Sequence, residues 1–156
     1  MKNKRLPLRT GVGIIVLNSE NKVFVGKRID NISDKWQMPQ GGVDKNENYT
    51  DAMKRELKEE TSISNIRIIK ELDYWLEYEL PKNLLGIIWK GKYRGQRQKW
   101  FVVKLLGGDN EINLKTKNAE FLDWKWIKID DLPKVIVDFK KHIYEQLVLE
   151  LKKINF

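Results

Sequence analysis

Three glutamates and an arginine lie close together in one polar run of the chain, Arg55-Glu56-Leu57-Lys58-Glu59-Glu60. If the run is helical, Glu56 falls three residues before Glu59 and four before Glu60, so the carboxylates share one face. Like charges at that spacing cost roughly 0.2–0.5 kcal/mol per pair in an isolated helix. A divalent cation would offset the repulsion, since Mg²⁺ prefers carboxylate oxygens together with substrate phosphates. The run therefore indicates a metal site for phosphate chemistry.

An ordinary solvated helix face is the alternative. Lys54, Arg55 and Lys58 alternate with the acids and could screen them, and such charged runs are common on protein surfaces. The wider spacing decides between the two interpretations.

The wider pattern begins at Gly41. Five residues separate Gly41 from Glu47, seven more separate Glu47 from Arg55, and the pattern ends at Ser62-Ile63. It resembles the Nudix box, G-x5-E-x7-R-E-U-x-E-E-x-G-U with U a bulky aliphatic residue, at every fixed position except the last glycine, which is Ser62 here. A glycine at that place serves a helix C-terminus with positive φ, and residues 62–65 offer alternative turn residues at some loss of stability.

The resemblance implies roles for the residues of the box. Glu56, Glu59 and Glu60 bind two or three Mg²⁺ or Mn²⁺ ions, and Glu47 and Arg55 hold the helix and loop together. The glycines let the backbone pass close to metal and phosphate, so Gly41 joins the metal site. Glu56 or Glu59 is the expected general base, but coupled carboxylates around a metal cannot be assigned separate roles from sequence.

A second resemblance extends over nearly the whole chain. Its segments are residues 9–13, 36–42, 75–81, 95–101, 120–126 and 139–140, which include W-Q-M-P-Q-G-G and G-Q-R-Q-K-W-F. They are similar to bacterial RNA pyrophosphohydrolases, a group that overlaps with the dinucleoside polyphosphate hydrolases, some of which were first named as invasion-associated proteins. The resemblance specifies the reaction more firmly than the substrate.

The same resemblance implies residues outside the box. Glu120 approaches the metal cluster as a ligand or base, although an acid before a strand is otherwise an ordinary surface residue. Phe139 stacks on a base, with core packing of the last helix as the alternative. The remaining substrate-binding residues are Arg28 and Lys140 near the nucleotide, Arg97 and Lys99 near the phosphates, Gln40, and Tyr78 at the terminal nucleotide. The catalytic set is thus Glu56, Glu59, Glu120 and Arg55.

These residues lead to an expected function and to alternatives. The expectation is metal-assisted hydrolysis of a 5'-triphosphate RNA end to a 5'-monophosphate, which exposes a transcript to decay. The same site could instead cleave diadenosine tetra- or pentaphosphate, or a free nucleotide. A non-catalytic module that binds RNA or nucleotides is the third alternative, but such modules typically lose box carboxylates, and all are intact here.

Composition excludes several classes of site. The 156 residues, 41% of them hydrophobic and six of them Trp, are enough for a core and predict one domain over residues 1–156. Without cysteine and with only His142, neither disulfides nor thiolate or multi-histidine zinc sites can form. The first seven residues lack a secretory apolar core, and no run approaches a membrane span, so we expect a cytoplasmic protein without membrane contact.

The net charge of +8 would draw polyanions such as RNA toward the protein, although such a bias can equally reflect genomic base composition. The expected partners are 5'-triphosphate RNA or a dinucleoside polyphosphate, and not DNA. A monomer is expected, and a weak protein activator is left open.

Periodicity and turn signals predict the elements that position these residues. The helix that carries the glutamates should be capped by Asn48 or Thr50 and should pack on the core through Ala52, Met53 and Leu57. An irregular basic segment should span residues 82–95, and tryptophans 36, 100, 124 and 126 should be core or scaffold. The predicted strands are 11–17 and 22–28 as a hairpin, 66–69, 72–80, 99–106 and 123–127, with a final helix over 137–151. This order predicts an α/β fold, the Nudix-type α/β/α sandwich with a mixed β-sheet.

Overall fold

The computed structural model describes residues 5–30 and 33–155. Residues 1–4, 31, 32 and 156 lie outside this part of the chain. The sequence predicts a loop over residues 30–35, which includes residues 31 and 32. The strands are β1 (Leu8–Leu17), β2 (Val23–Arg28), β3 (Gln40–Gly42), β4 (Ile66–Glu71), β5 (Leu76–Glu79), β6 (Gly95–Leu105) and β7 (Phe121–Ile127). The α-helices are α1 (Tyr49–Thr61), the single turn α2 (Leu132–Val135) and α3 (Lys141–Lys152).

The strands form one mixed sheet in the order β4-β6-β1-β2-β7, with β3 paired to β1 and β5 paired to β6. β1 and β6 run parallel, and every other pairing is antiparallel. The predicted hairpin of β1 and β2 is confirmed, and its turn is held by the Asn18 side chain, which accepts from the N–H groups of Glu20 and Lys22. β1 therefore pairs with β2 at one end and β3 at the other, and a cleft opens where its partner changes.

The sheet lies between two helical layers. On one face α1 packs through Ala52, Met53 and Leu57, as predicted, and on the other face α3 packs through Ile143 and Leu147. The predicted α/β/α sandwich is confirmed. Side chains alternate between the two faces of each strand, so β1 contributes Val12, Ile14 and Val16 to the α1 side and Ile15 and Leu17 to the α3 side.

Polar residues cap both ends of α1. The Asn48 side chain accepts from the Asp51 N–H at 2.8 Å, so Asn48 rather than Thr50 is the N-cap. At the other end Ser62 adopts a left-handed conformation with φ 69° and donates its N–H to the Lys58 carbonyl. The Ser62 hydroxyl also donates to the Asn113 carbonyl at 2.8 Å. The serine thus performs the C-terminal turn expected of a glycine and gains an anchor that glycine lacks.

Three predicted boundaries are wrong by four residues each. The strand predicted over 72–80 begins only at Leu76, because the chain bends after β4 and Leu72 turns into the core. β6 begins at Gly95 rather than Lys99. The last helix begins at Lys141 rather than Val137, because residues 138–140 form a 3-10 turn.

The tryptophan predictions agree with the packing. Trp100 is fully buried, and Trp36, Trp124 and Trp126 pack partly buried against the two cores. No helix in the described ranges is both long and apolar enough to span a membrane.

Candidate active site

The short strand β3 passes directly over the first half of α1. A β-carbon added to Gly41 would overlap the carboxyl group of Glu56. Gly41 is therefore needed for close approach rather than for an unusual backbone conformation. The contact places the β3 backbone against a carboxylate of the predicted metal site.

Arg55 joins the loop before α1 to the helix. Its Nε and Nη2 donate to the two carboxylate oxygens of Glu47 at 2.8 and 2.9 Å, and Nη2 also donates to the Gly42 carbonyl at 2.9 Å. Nη1 reaches Glu56 at 2.9 Å and Glu59 at 3.3 Å. The bidentate pair lowers the pKa of Glu47 to about 2. This geometry agrees with the structural role predicted for Glu47 and Arg55.

Glu60 is a buried carboxylate that forms no ion pair in the described part of the chain. It is 1% exposed, and neither of its oxygens has a hydrogen-bond partner among the described residues. Burial and the nearby charges of Glu120 and Glu56 raise its pKa well above the ordinary value. Burial likewise raises the pKa of Glu56 to about 7, against the opposing effect of Arg55.

The donor set suits a hard divalent cation. Each candidate ligand offers oxygen: the unpaired carboxylate oxygens of Glu60, the carboxylates of Glu56 and Glu120, and the backbone carbonyl of Gly41. In residues 5–30 and 33–155, however, no three acidic or histidine side chains converge on one point. Glu59 is turned toward Arg55 and its side chain is 45% exposed. Binding an ion would therefore require side-chain rotation, which the half-exposed Glu59 can make.

A cavity of about 500 Å³ opens beside these carboxylates. Glu56, Glu120 and the glycines of β3 line it, together with Phe139 and Lys140. Its size is that of a small-molecule site. The predicted site residues in its lining are Arg28, Gln40, Gly41, Glu56, Tyr78, Glu120, Phe139 and Lys140.

Part of the cavity lining is aromatic and basic. The Phe139 and Tyr78 ring centroids lie 5.6 Å apart, and Lys140 Nζ lies 5.0 Å from the Tyr78 ring. Burial, aided by the charge of Arg28, lowers the pKa of Lys140 to about 8. Arg28 forms a two-point pair with Asp30, with distances of 2.8 and 2.7 Å.

Buried glutamines hydrogen-bond to Gln40 and Tyr78 of the cavity lining. Gln98 Nε2 donates to Gln40 Oε1 at 2.9 Å, and the Tyr78 hydroxyl donates to Gln96 Oε1 at 3.0 Å. Gln37 lines the cavity, and its buried Nε2 has no hydrogen-bond partner in the described part of the chain. That amide is a free donor for a ligand acceptor.

Arg97 and Lys99 do not line the cavity. They point from β6 toward the α1 face, whereas Gln96 and Gln98 point toward the α3 face. The Arg97 guanidinium lies 4.1 Å from the Trp75 ring centroid, and Lys99 Nζ lies 3.8 Å from a Glu71 carboxylate oxygen. The contact of these two residues with phosphates stays a prediction.

Several cavity residues, including Gln37, Arg9 and Trp89, were not among the predicted site residues. Arg9 lies beside Gly42, and Trp89 borders the cavity from the irregular segment between β5 and β6. Arg9 begins one of the segments that carry the second resemblance, so it could have been chosen. Trp89 lies in no regular element, and no local pattern indicates its position.

Comparison with known proteins decides the family. The NUDIX domain model matches residues 7–147. The chain belongs to the Nudix family. As a Nudix pyrophosphohydrolase it is an enzyme, which agrees with the prediction from the box.

Similar proteins align over nearly the full length of this chain. The RNA pyrophosphohydrolase of Pelagibacter ubique (strain HTCC1062) is 62% identical over 96% of this chain and 94% of its own length. The RNA pyrophosphohydrolase of Rhodopseudomonas palustris (strain BisA53) is 46% identical over 97% of this chain and 91% of its own. The E. coli dihydroneopterin triphosphate pyrophosphohydrolase structure, 21% identical, aligns with a TM-score of 0.69 over 94% of this chain and 99% of its own. That likeness confirms the Nudix fold.

Proposed function

We propose that this protein removes phosphates from the 5'-triphosphate end of RNA and leaves a 5'-monophosphate. The observation that carries the proposal is the continuous cavity, which joins a carboxylate cluster to an aromatic and basic subsite for a nucleotide. The names of the full-length relatives in Pelagibacter and Rhodopseudomonas support RNA as the substrate.

The polyphosphate lies between Arg9 and the carboxylates in this proposal. Arg9 forms no ion pair with any described acid, and Glu60 and Glu120 form none with any described cation, whereas Glu56 pairs with Arg55 at 2.9 Å. Glu56, Glu59, Glu60 and Glu120, with Gly41, would hold Mg²⁺ or Mn²⁺, two or three ions in all. A bound divalent cation supplies charge neutralisation for the phosphates and a lowered pKa for water.

The protein side chains bind, orient and exchange protons. Phe139 and Lys140 hold a base, Arg28 and Tyr78 border it, and Gln40 and the free amide of Gln37 offer polar contacts. One of Glu56, Glu59 and Glu120 takes a proton from the attacking water, while Arg55 fixes Glu56. Water adds to phosphorus, a phosphoanhydride bond breaks, and pyrophosphate or successive phosphates leave.

The proposed substrate also suggests the cellular location of the enzyme. An enzyme that starts transcript decay works where transcripts are made, so we place it in the cytoplasm, as a monomer over residues 1–156 without DNA or membrane contact. Whether a weak protein activator assists stays open to experiment.

Rates on three substrates test the proposal. We would compare kcat/KM in Mg²⁺ for a short 5'-triphosphate RNA, diadenosine tetraphosphate and a nucleoside triphosphate. The control pair is Glu59→Gln, in the box, and Glu20→Gln, exposed on the turn after β1. RNA should be the preferred substrate, with activity lost only in Glu59→Gln.

Other outcomes have defined meanings. Preference for the dinucleotide would move the assignment to dinucleoside polyphosphate hydrolysis. Binding without turnover on any substrate would support the non-catalytic module and contradict the enzyme.

A further inference from the structure

A closed loop between β5 and β6 contributes Leu84, Ile88 and Trp89 to the wall of the cavity. Residues 81–93 leave the sheet, and the Leu80 N–H donates to the Arg94 carbonyl at 2.7 Å across the loop ends. Inside, Leu84 and Leu85 both donate to the Pro81 carbonyl, so the loop is organised by its own turns. Compact loops whose ends meet in this way are often functional.

The backbone of this loop is strained at its aromatic residue. Trp89 has φ 55° and ψ 37°, and Lys90 has φ 58° and ψ 27°, which is the left-handed region twice in succession. Bulky side chains rarely adopt that conformation, and such strain collects where a ligand is held. Gly91, at φ 73°, continues the turn, and its backbone packs against Gly86. The strained backbone at residues 89 and 90 thus sets the direction of the Trp89 ring at a cost in stability.

The ring faces the cavity. Trp89 lines it together with Leu84 and Ile88, and these three side chains also pack against the core beneath α3. Phe139 lines the same cavity, but its ring contacts Tyr78, whereas the Trp89 ring contacts Tyr93. The cavity therefore has two aromatic surfaces, and one base can occupy only one of them.

We propose that Trp89, with Leu84 and Ile88, forms a second nucleobase subsite in the cavity that Phe139 also lines. Its occupant is the second base of the substrate, either that of the neighbouring nucleotide of the RNA or that of the second nucleoside of a dinucleoside polyphosphate. This inference rests on the proposed function, since it presumes a substrate that carries two bases.

Arg9 links the new subsite to the phosphates. Its guanidinium lies 5.4 Å from the Trp89 ring centroid, and no acidic side chain in the described ranges pairs with it. A polyphosphate draws this cation off the indole, because two opposite charges attract more strongly than a cation and a ring. Phosphate binding then frees the indole face for a base. Exposed Lys82, Lys90 and Lys92 on the same loop favour an anionic chain nearby.

The test compares substrates with one base and with two. We would measure KM and kcat of wild type and Trp89→Ala on a 5'-triphosphate dinucleotide RNA, on diadenosine tetraphosphate and on a nucleoside triphosphate. Stacking on an aromatic ring is worth about 1–3 kcal/mol per base, so KM for at least one two-base substrate should rise roughly 5- to 150-fold. KM for the nucleoside triphosphate should stay within about twofold, and kcat should change little, because stacking holds the ground state equally.

Three further variants separate stacking from loop collapse. Trp89→Phe keeps a ring and should restore most of the affinity. Ile87→Ala removes a side chain that is 71% exposed on the same loop and should behave as wild type. Phe139→Ala should weaken all three substrates, because every one of them uses the first subsite.

The pattern of loss names the occupant. A loss confined to the RNA assigns the subsite to the neighbouring nucleotide, and a loss confined to diadenosine tetraphosphate assigns it to the second adenosine. Equal losses on all three substrates, or no loss on either two-base substrate, would overturn the subsite. If wild type hydrolyses no RNA end, the proposed function fails by itself. Calorimetric binding of a 5'-monophosphate dinucleotide to wild type and Trp89→Ala then still decides the subsite.

Discussion

Gly41 rests on the carboxyl group of Glu56 so closely that position 41 has no room for a β-carbon. The two residues come from different elements, the backbone of β3 and the side chain of α1. Their contact brings a buried carboxylate, whose burial raises its pKa to about 7, against the rim of the cavity. A change of one methyl group at Gly41 therefore acts directly on Glu56.

Gly41→Ala should lower kcat by about 100-fold or more, because the Glu56 carboxylate must move by an ångström or so and misplacement on that scale has such an effect. Gly107→Ala is the matched control, since its β-carbon would meet only ordinary contacts at 3.7 Å. Steady-state kinetics and thermal melting of both variants provide the measurement. Unchanged kcat in Gly41→Ala would show that the position of Glu56 does not matter to the reaction.

Glu60→Gln should stabilise the metal-free protein and remove its activity. A buried polar group without partners costs about 1–3 kcal/mol, and each kcal/mol moves the Tm of a chain of this size by about 2–4 °C. Because the folded pKa of Glu60 is raised, wild type loses stability as pH rises above the ordinary value of 4.5. The advantage of the variant should therefore grow with pH in EDTA. Mg²⁺ should raise the Tm of wild type more than that of the variant.

A lower Tm for Glu60→Gln in EDTA would mean that the fold itself stabilises the carboxylate. Glu59→Gln serves as the comparison, since Glu59 is half-exposed and pairs with Arg55 at 3.3 Å. It should abolish activity without stabilising the apoprotein.

Lys140 should impose an upper pH limit on substrate capture. Its pKa is lowered to about 8, so it loses its charge above that pH, and kcat/KM should fall by up to tenfold per pH unit there. Lys140→Arg keeps the charge at any pH and should extend the plateau upward. Lys141→Arg, at the exposed neighbouring position, should keep the wild-type profile. An unchanged basic limb in Lys140→Arg would assign that limb to another group.

Glu47→Gln should lower stability at pH 7 by about 1 kcal/mol, because a charge-assisted pair with Arg55 is replaced by a neutral bond. The Glu47 pKa is about 2 in the fold against 4.5 otherwise, so its contribution is present above 4.5 and lost as pH falls toward 2. The two proteins should therefore converge in acid, as denaturant titrations at several pH values can show. Asp44→Asn is the control, because Asp44 is 72% exposed and 3.5 Å from Arg55, and such pairs contribute little. A constant difference at all pH values would contradict the assignment.

The local parts of the site could be predicted from sequence. Helix α1, its cap at Asn48 and the face that carries Glu56 and Glu60 all follow from spacings of three and four residues. The positive φ at Ser62 was likewise anticipated from the glycine that the box pattern has there. In each case the physical cause lies within one or two turns of chain.

The remaining parts depend on long-range contacts. The side of the sheet to which Arg97 points follows from the register of β6, and its prediction at the phosphates could not use that register. Trp89 reaches the cavity because the ends of its loop meet and the backbone adopts a strained conformation, and neither leaves a periodic signal. Residues 72–75 alternate like a strand, but Leu72 is drawn into the core and the strand is interrupted.

The parallel pairing of β1 with β6 has a consequence during synthesis on the ribosome. Leu8 pairs with Gly95 and Leu17 with Lys104, so β1 is made long before the strand that will cover its edge. Until β6 is synthesised, the edge of β1 that β6 will cover stays unpaired along the apolar segment from Val12 to Leu17. An unpaired apolar edge favours slow folding and association with other chains. A chaperone that shields the first twenty residues would protect this enzyme at its most vulnerable moment.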